Sequence, residues 1–312
     1  MAPLSKCVLL PIDGTEEALR PVEFLARLYP TPGEVSVVLG YCAQPIPPVY
    51  QGKPASSEST KKREEFLQSR EQEIRSVMDR ARKALIRAGF SGPAIEEYVM
   101  SRTDGKAKAA CLLADQKRVD AVLVQKRVTS SLEGFLRDDP TPSMLNHCLG
   151  SPVWVIDGTV DISHAVVCIT NESASLRAAD HTAFMLSGTG SRVTLLHASR
   201  SISYPVSSPV SHISEDLQKW MMTPEGTKMK PFFMESHGIL NSEGIGDDKI
   251  RIAVLPSHGK VAMEVLSYCR EKGIGIIVVG HSRPSGIKDF LKGSVTKKVL
   301  SELKNMTLWV NQ

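Results

Sequence analysis

The chain holds six cysteines in 312 residues and no C-x-x-C pair among them, so neither a zinc ribbon nor a short-spaced redox motif is written into it. The cysteines occupy apolar stretches. That pattern predicts thiols in a reduced, cytoplasmic protein and argues against a disulfide framework. No uninterrupted apolar run reaches the roughly 18 to 20 residues that span a bilayer, and the start, Met1 to Lys6, lacks the long apolar core of a signal peptide. An excess of one charge sign is also missing. The 38 basic and 34 acidic residues leave a formal charge of +4, and the basic ones are spread along the chain, so neither a nucleic-acid nor a membrane partner is expected. The signatures of common enzymes are absent as well. There is no H-E-x-x-H, and the eight histidines, His147 and His197 among them, show no ligand spacing. Gly280-His281-Ser282 follows an apolar strand as a hydrolase nucleophile elbow would, but Pro284 stands where the last glycine belongs. Gly105-Lys106 and Gly259-Lys260 lack the glycine spacing of a P-loop and read as helix-start glycines, each followed by a solvated lysine.

What is present is a repeat. Gly286 to Gln312 aligns without a gap on Ser131 to Asp157: Phe290-Leu291-Lys292 matches Phe135-Leu136-Arg137, and Leu308-Trp309-Val310 matches Val153-Trp154-Val155. Both halves begin alike, with Val8 to Ile12 and Val166 to Ile169 as short buried strands, each before a polar turn and a helical stretch. The unit is too long for a solenoid, so the chain divides into two similar domains, 1–157 and 162–312, each long enough for its own core.

Within each half, strand and helix patterns alternate. Strands are predicted at 35–39, 95–99 and 121–124, with helices at 61–88 and 106–115. The second half repeats the order with strands at 193–196, 250–255 and 276–279, and helices within 224–240 and at 261–270. Continuous apolar strands separated by helices predict a parallel sheet covered on both faces, with ligands at the carboxyl ends of the strands near the switch in strand order. Two Pro- and Ser-rich insertions, 43–60 and 199–214, follow the second strand of each half. The latter runs into Leu217, Trp220, Met221 and Met222. Lids, partner-docking segments and simple packing over the chain's own core all suit such segments.

The segment from Gly275 to Thr296 has the outline of a phosphate cradle: a buried strand, glycines that let main chain approach a ligand, and a helix whose first N–H groups are unpaired. Taken with Leu10-Pro11-Ile12-Asp13-Gly14-Thr15 and the tandem arrangement, it resembles a two-domain universal stress protein over nearly the whole chain. The resemblance implies two tandem flavodoxin-like or Rossmann-like α/β sandwiches, each a five-stranded parallel sheet with helices on both faces. It also implies ATP held by a signature of Gly, two residues, Gly, nine residues, Gly, then Ser or Thr, together with an Asp at the end of the first strand near the adenosine. In the second half Gly280, Gly293 and Ser294 match, with Val295 next, but Arg283 replaces the middle glycine, and the first-strand Asp falls at Thr170, beside Asn171. In the first half Asp13 is kept, while the signature positions are Gln125, Val128, Asp138 and Asp139, two of them carboxylates that repel phosphate.

The resemblance therefore implies ATP or a related adenine nucleotide in the second domain, with Mg²⁺ only as its companion. Arg283 offers a guanidinium to phosphate oxygens, and His258, Gly259 and Lys260 form a second-rank turn beside the ligand. Packing roles stand next to each of these: Gly280 and Gly293 for close helix approach, Ser294 as a helix cap, and Asp13 as a turn residue. No general base or Mg²⁺-binding carboxylate pair is visible, so binding is expected and slow ATP hydrolysis ranks last. The rival reading is a scaffold of two degenerate domains for an unknown protein partner. The resemblance further implies that the last strands, Pro152 to Ile156 and Met306 to Val310, pair antiparallel as an internal pseudo-dimer or a homodimer, with Trp154 and Trp309 in or beside the contact.

Overall fold

The computed structural model describes residues 5–31, 33, 35–43, 46–52, 56–101, 105–127, 140–148, 150–281 and 295–312. The chain divides into two compact units, Met1–Ser151 and Pro152–Gln312.

In the first unit, β1 (Lys6–Ile12), β2 (Val35–Ala43), β3 (Ile95–Ser101) and β4 (Ala121–Gln125) form a parallel sheet in the order β3-β2-β1-β4. β1, β2 and β4 are apolar along nearly their whole length because helices cover both faces, which is what a parallel sheet with crossover connections requires. Among the described residues the helices are α1 (Arg20–Leu28), α2 (Ser57–Arg87), α3 (Lys106–Lys117) and α4 (Pro140–His147). A capping box between Ser56 and Ser59 starts α2. Its C-terminal half buries Val77, Met78, Ala81 and Leu85. Phe66, in the N-terminal half, is instead covered by Tyr50, the two rings stacking at 4.5 Å. The described part of the first insertion is thus bound to the protein's own helix.

In the second unit the order is β5-β11-β10-β6-β7-β9-β8, from β5 (Val153–Ile156), β6 (His164–Cys168), β7 (Arg192–Ser199), β8 (Val206–Pro209), β9 (Ile250–Pro256), β10 (Ile276–Gly280) and β11 (Thr307–Asn311). The five strands from β11 to β9 run parallel; β5 and β8 are antiparallel to their neighbours. The helices are α5 (Ser173–Leu186), α6 (Glu215–Met221), α7 (Pro224–Ser242), α8 (Val261–Lys272) and α9 (Val295–Glu302). Of these two antiparallel strands, β5 comes from the end of the first repeat and the second insertion accounts for the other. It supplies edge strand β8, then α6, which buries Leu217 and Trp220 and leaves Met222 81% exposed. Leu217 and Trp220 of the cluster are core, whereas Met221 is half-buried and Met222 exposed.

β5 ends the first sequence repeat yet lies in the second unit, antiparallel to β11 with Trp154 opposite Trp309. The two indoles stack with centroids 3.7 Å apart and planes within 1°. This is the antiparallel pairing that the resemblance implied, made here within one chain.

The expectation of free thiols throughout fails. Cys111 on α3 and Cys148, just after α4, form a disulfide with Cα atoms 4.8 Å apart, leaving Cys7, Cys42, Cys168 and Cys269 as thiols. The sequence hid the pair because its members are 37 residues apart and meet only when the two helices pack.

Candidate functional site

Strand order reverses between β1 and β4 in the first unit and between β6 and β10 in the second, the places where sheets of this kind open a crevice at the carboxyl ends of their strands.

At the first crevice Asp13 leaves the end of β1 and folds over its own turn: Oδ1 accepts hydrogen bonds from the Thr15 amide at 3.2 Å and the Thr15 hydroxyl at 2.7 Å. Gly14, at φ +89°, makes that turn possible. Oδ2 accepts from the Arg127 guanidinium, and the Lys106 ammonium lies 3.6 Å away. Burial by itself would raise the Asp13 pKa, but the Thr15 hydrogen bonds and Arg127 outweigh it and hold the carboxyl at about 2. Asp13 therefore has the turn role, and an ion cluster besides. Lys106 is drawn into that cluster rather than left solvated. Gln125, at the end of β4, is 7% exposed and its Oε1 has no hydrogen-bond donor among the described residues. Together with Ala18, Cys42, Met100 and Met144 these groups line a cavity of about 40 Å³, a volume for water rather than a nucleotide.

At the second crevice the turn at Thr170, Asn171 and Glu172 is exposed. It is pinned from behind by Ser175, whose hydroxyl donates to the carbonyls of Thr170 at 2.9 Å and Glu172 at 2.8 Å. Gly280 ends β10 against this helix start. A Cβ there would sit 2.0 Å from the Ala174 carbonyl oxygen, so the glycine permits α5 to begin directly against the sheet. The aligned residue in the first unit is Gln125, and there the chain makes a 3-10 turn, Glu17–Leu19, and α1 begins only at Arg20.

Beside the Thr170 turn, His197 Nδ1 lies 2.9 Å from the Ile169 carbonyl and its Nε2 3.3 Å from Glu225. Glu225, in the first turn of α7, also accepts from Ser199 at 2.7 Å and Ser201 at 2.9 Å, and the Trp220 indole donates to Ser199 at 3.0 Å. Burial opposes ionisation of Glu225, yet these hydrogen bonds lower its pKa and keep it charged. Ser199 gives its proton to a carboxylate rather than to His197, so the group is not a nucleophile–base pair. Gly259 lies in the neighbouring turn at φ +86°, tied to this edge through the Ser257 amide, which donates to the Ser199 carbonyl at 2.7 Å. Sequence reasoning missed Arg127, Glu225, Ser199 and Ser201. The available signals were Arg127 two residues beyond the first signature position and Glu225 directly after a helix-opening proline.

The fold thus brings Thr170, Asn171, Gly280 and Gly259 to one edge of the second unit and places Asp13 in the first. Arg283, Gly293 and Ser294 lie outside the described residues, as do Val128, Asp138 and Asp139; Val295 opens α9. No group of three or more His, Cys, Asp or Glu residues among the described residues is arranged to hold a metal ion, and no described helix is long and apolar enough to cross a membrane.

Comparison with known proteins accounts for this architecture. A universal stress protein from Archaeoglobus fulgidus DSM 4304 superposes with a TM-score of 0.64 at 14% identity, covering 99% of this chain and 97% of that one. A protein of Pseudomonas aeruginosa UCBPP-PA14 assigned to the universal stress proteins does so with 0.53 at 12% identity, covering 98% and 93%. Such identities speak for the fold alone. Universal stress protein YxiE of Bacillus subtilis (strain 168) is 35% identical over 57 residues, a match spanning 18% of this chain and 38% of that protein. The model of the Universal stress protein family matches twice, at residues 5–157 and 162–311. With both halves matched, the chain belongs to the universal stress protein family as a tandem of two of its domains.

Proposed function

We propose that this protein acts by binding and that its second domain holds ATP or a related adenine nucleotide at the β6/β10 crevice. In this reading Thr170 and Asn171 border the adenosine, and Gly280 and the α9 start at Val295 face the phosphates together with Arg283, Gly293 and Ser294. Mg²⁺ would enter only with the nucleotide. The supporting observation is the asymmetry of the two crevices. Asp13, which the family pattern would spend on adenosine, is engaged by Thr15, Arg127 and Lys106, whereas the Thr170–Asn171 turn beside Gly280 is exposed. Catalysis forms no part of the proposal: among the described residues the Glu225 carboxylate beside that turn is engaged by Ser199, Ser201 and His197, and no group of three or more His, Cys, Asp or Glu residues is arranged to hold a metal ion. Calorimetric titration of the full chain with ATP tests it. Gly293→Asp is expected to abolish binding and Asp138→Gly to leave it unchanged; a loss confined to the first-half variant would reverse the assignment. Arg283→Ala should weaken ATP by roughly 1.5–3 kcal/mol, the scale of a charge-assisted hydrogen bond, and leave adenosine almost untouched.

One observation favours a second reading. The Ala174 carbonyl is reason enough for a glycine at 280, so this part of the signature is also what a packing-only domain would keep. A chain that takes up no ATP, adenosine or cyclic nucleotide in the titration would leave the two domains as surfaces for a protein partner.

A further inference from the structure

The disulfide stands where the other domain uses hydrocarbon. Along α3 and α8 the buried positions correspond one to one: Ala107, Ala110, Cys111, Leu113 and Ala114 against Ala262, Val265, Leu266, Tyr268 and Cys269. On the facing segment, Cys148 corresponds to Leu303. The second domain thus fills this place with two buried leucines and large neighbours, while the first has two cysteines and three alanines. Small side chains on α3 give it less apolar area to share with Met144 and Leu145 of α4 than α8 has to share with Val299 and Leu300 of α9. The covalent bond therefore carries a larger part of the association than in the sister pair. α4 also reaches the β1/β4 crevice, since Met144 is one wall of the cavity beside Gln125 and Asp13.

We propose that Cys111–Cys148 is a reversible thiol–disulfide site whose state sets how firmly α4 is held against α3, and through Met144 the shape of the first domain's crevice. The reaction partner is a dithiol reductant. Its thiolate attacks one sulfur of the pair, a mixed disulfide forms, and its second thiol displaces the remaining cysteine. Two electrons and two protons pass to Cys111 and Cys148, and the reductant leaves as its own disulfide. Both sulfurs are buried, at 3% and 1% residue exposure, so exchange proceeds through local opening of α4, a short helix whose release leaves the sheet intact.

The test uses the full chain equilibrated with mixtures of reduced and oxidised dithiothreitol, without denaturant. Quenched alkylation and peptide mass analysis count thiols, and hydrogen exchange is read in 140–148 with 295–303 as the internal control. The expected result is protection of Cys111 and Cys148 together in the oxidised chain, their joint release by the dithiol, and a rise in exchange of roughly tenfold or more over 140–148 alone. The double variant Cys111→Leu with Cys148→Leu, which installs the second domain's residues, should exchange slowly in 140–148 whatever the dithiol ratio. Three results would overturn the proposal: both cysteines alkylated even under the oxidised couple, a pair that no dithiol ratio opens in the folded chain, or a reduced chain whose 140–148 exchange is unchanged. Because the wild-type titration decides the matter, a poorly folding double variant does not rescue the idea.

Discussion

At the scale of single residues, two positions show chemistry set by immediate surroundings. Gly280 has no room for a methyl group because the obstacle, the Ala174 carbonyl, is backbone and cannot rotate aside. Gly280→Ala should therefore destabilise the second unit by about 1–3 kcal/mol as overpacking, read from its urea midpoint; an unshifted midpoint would show that α5 slides easily. Asp13 supplies a pH dependence. Its folded pKa of about 2 lies below the ordinary 3.8, so the unfolded chain binds the extra proton. The stabilisation is complete above about pH 4 and is lost as pH falls through 2. It amounts to at most about 2 kcal/mol, and the partial exposure of Arg127 and Lys106 reduces it further. Asp13→Asn should flatten acid unfolding of the first unit over that window. An unchanged acid limb would mean that the ion cluster contributes nothing net.

At the scale of elements, the β5/β11 pair and α5 form one aromatic block. His181 on α5 accepts the Trp154 indole hydrogen bond at 3.0 Å, while among the described residues the Trp309 indole nitrogen has no acceptor. Trp154→Phe is accordingly expected to cost more stability than Trp309→Phe, since the latter removes a buried unpaired donor and the former a satisfied one. Equal losses would locate the stabilisation in ring stacking alone. Near-ultraviolet circular dichroism should show exciton coupling from the parallel rings, absent in either variant. Two buried histidines of this unit, His181 on α5 and His164 on β6, add a pH dependence. Burial lowers the His181 pKa to about 3, and burial aided by the Arg192 charge lowers that of His164 to about 4. Because the unfolded histidines protonate near 6.5 and the folded ones do not, stability is full above that pH. It falls on acidification toward 4 by about 1.4 kcal/mol per pH unit for each histidine. His181→Gln should remove roughly half of this slope in urea unfolding of the second unit; a slope unaffected by the substitution would assign it to other groups.

At the scale of the whole molecule, the proposed function predicts one nucleotide per chain. A calorimetric stoichiometry near two would show that the first crevice opens despite its ion cluster. The sequence by itself determined the tandem repeat and the alternation of strands and helices, because these follow from periodicity and from a repeat that keeps Trp154 and Trp309 in register; the pairing of the terminal strands was implied by the family resemblance, and the fold made it within one chain. It also marked the turns that end β1 and β10, since glycine and aspartate mark turns through their own backbone preferences. The tertiary structure alone decided what these groups touch. Arg127 meets Asp13 across 114 positions, Glu225 closes on Ser199 and His197, and Cys111 finds Cys148 only when α3 and α4 pack. Such contacts depend on where helices settle on a sheet, which side-chain periodicity does not encode. The fate of the 199–222 segment was decided in the same way: its polar composition resembles a loop, but β9 had an unpaired edge to offer β8, and Trp220 had a core to enter.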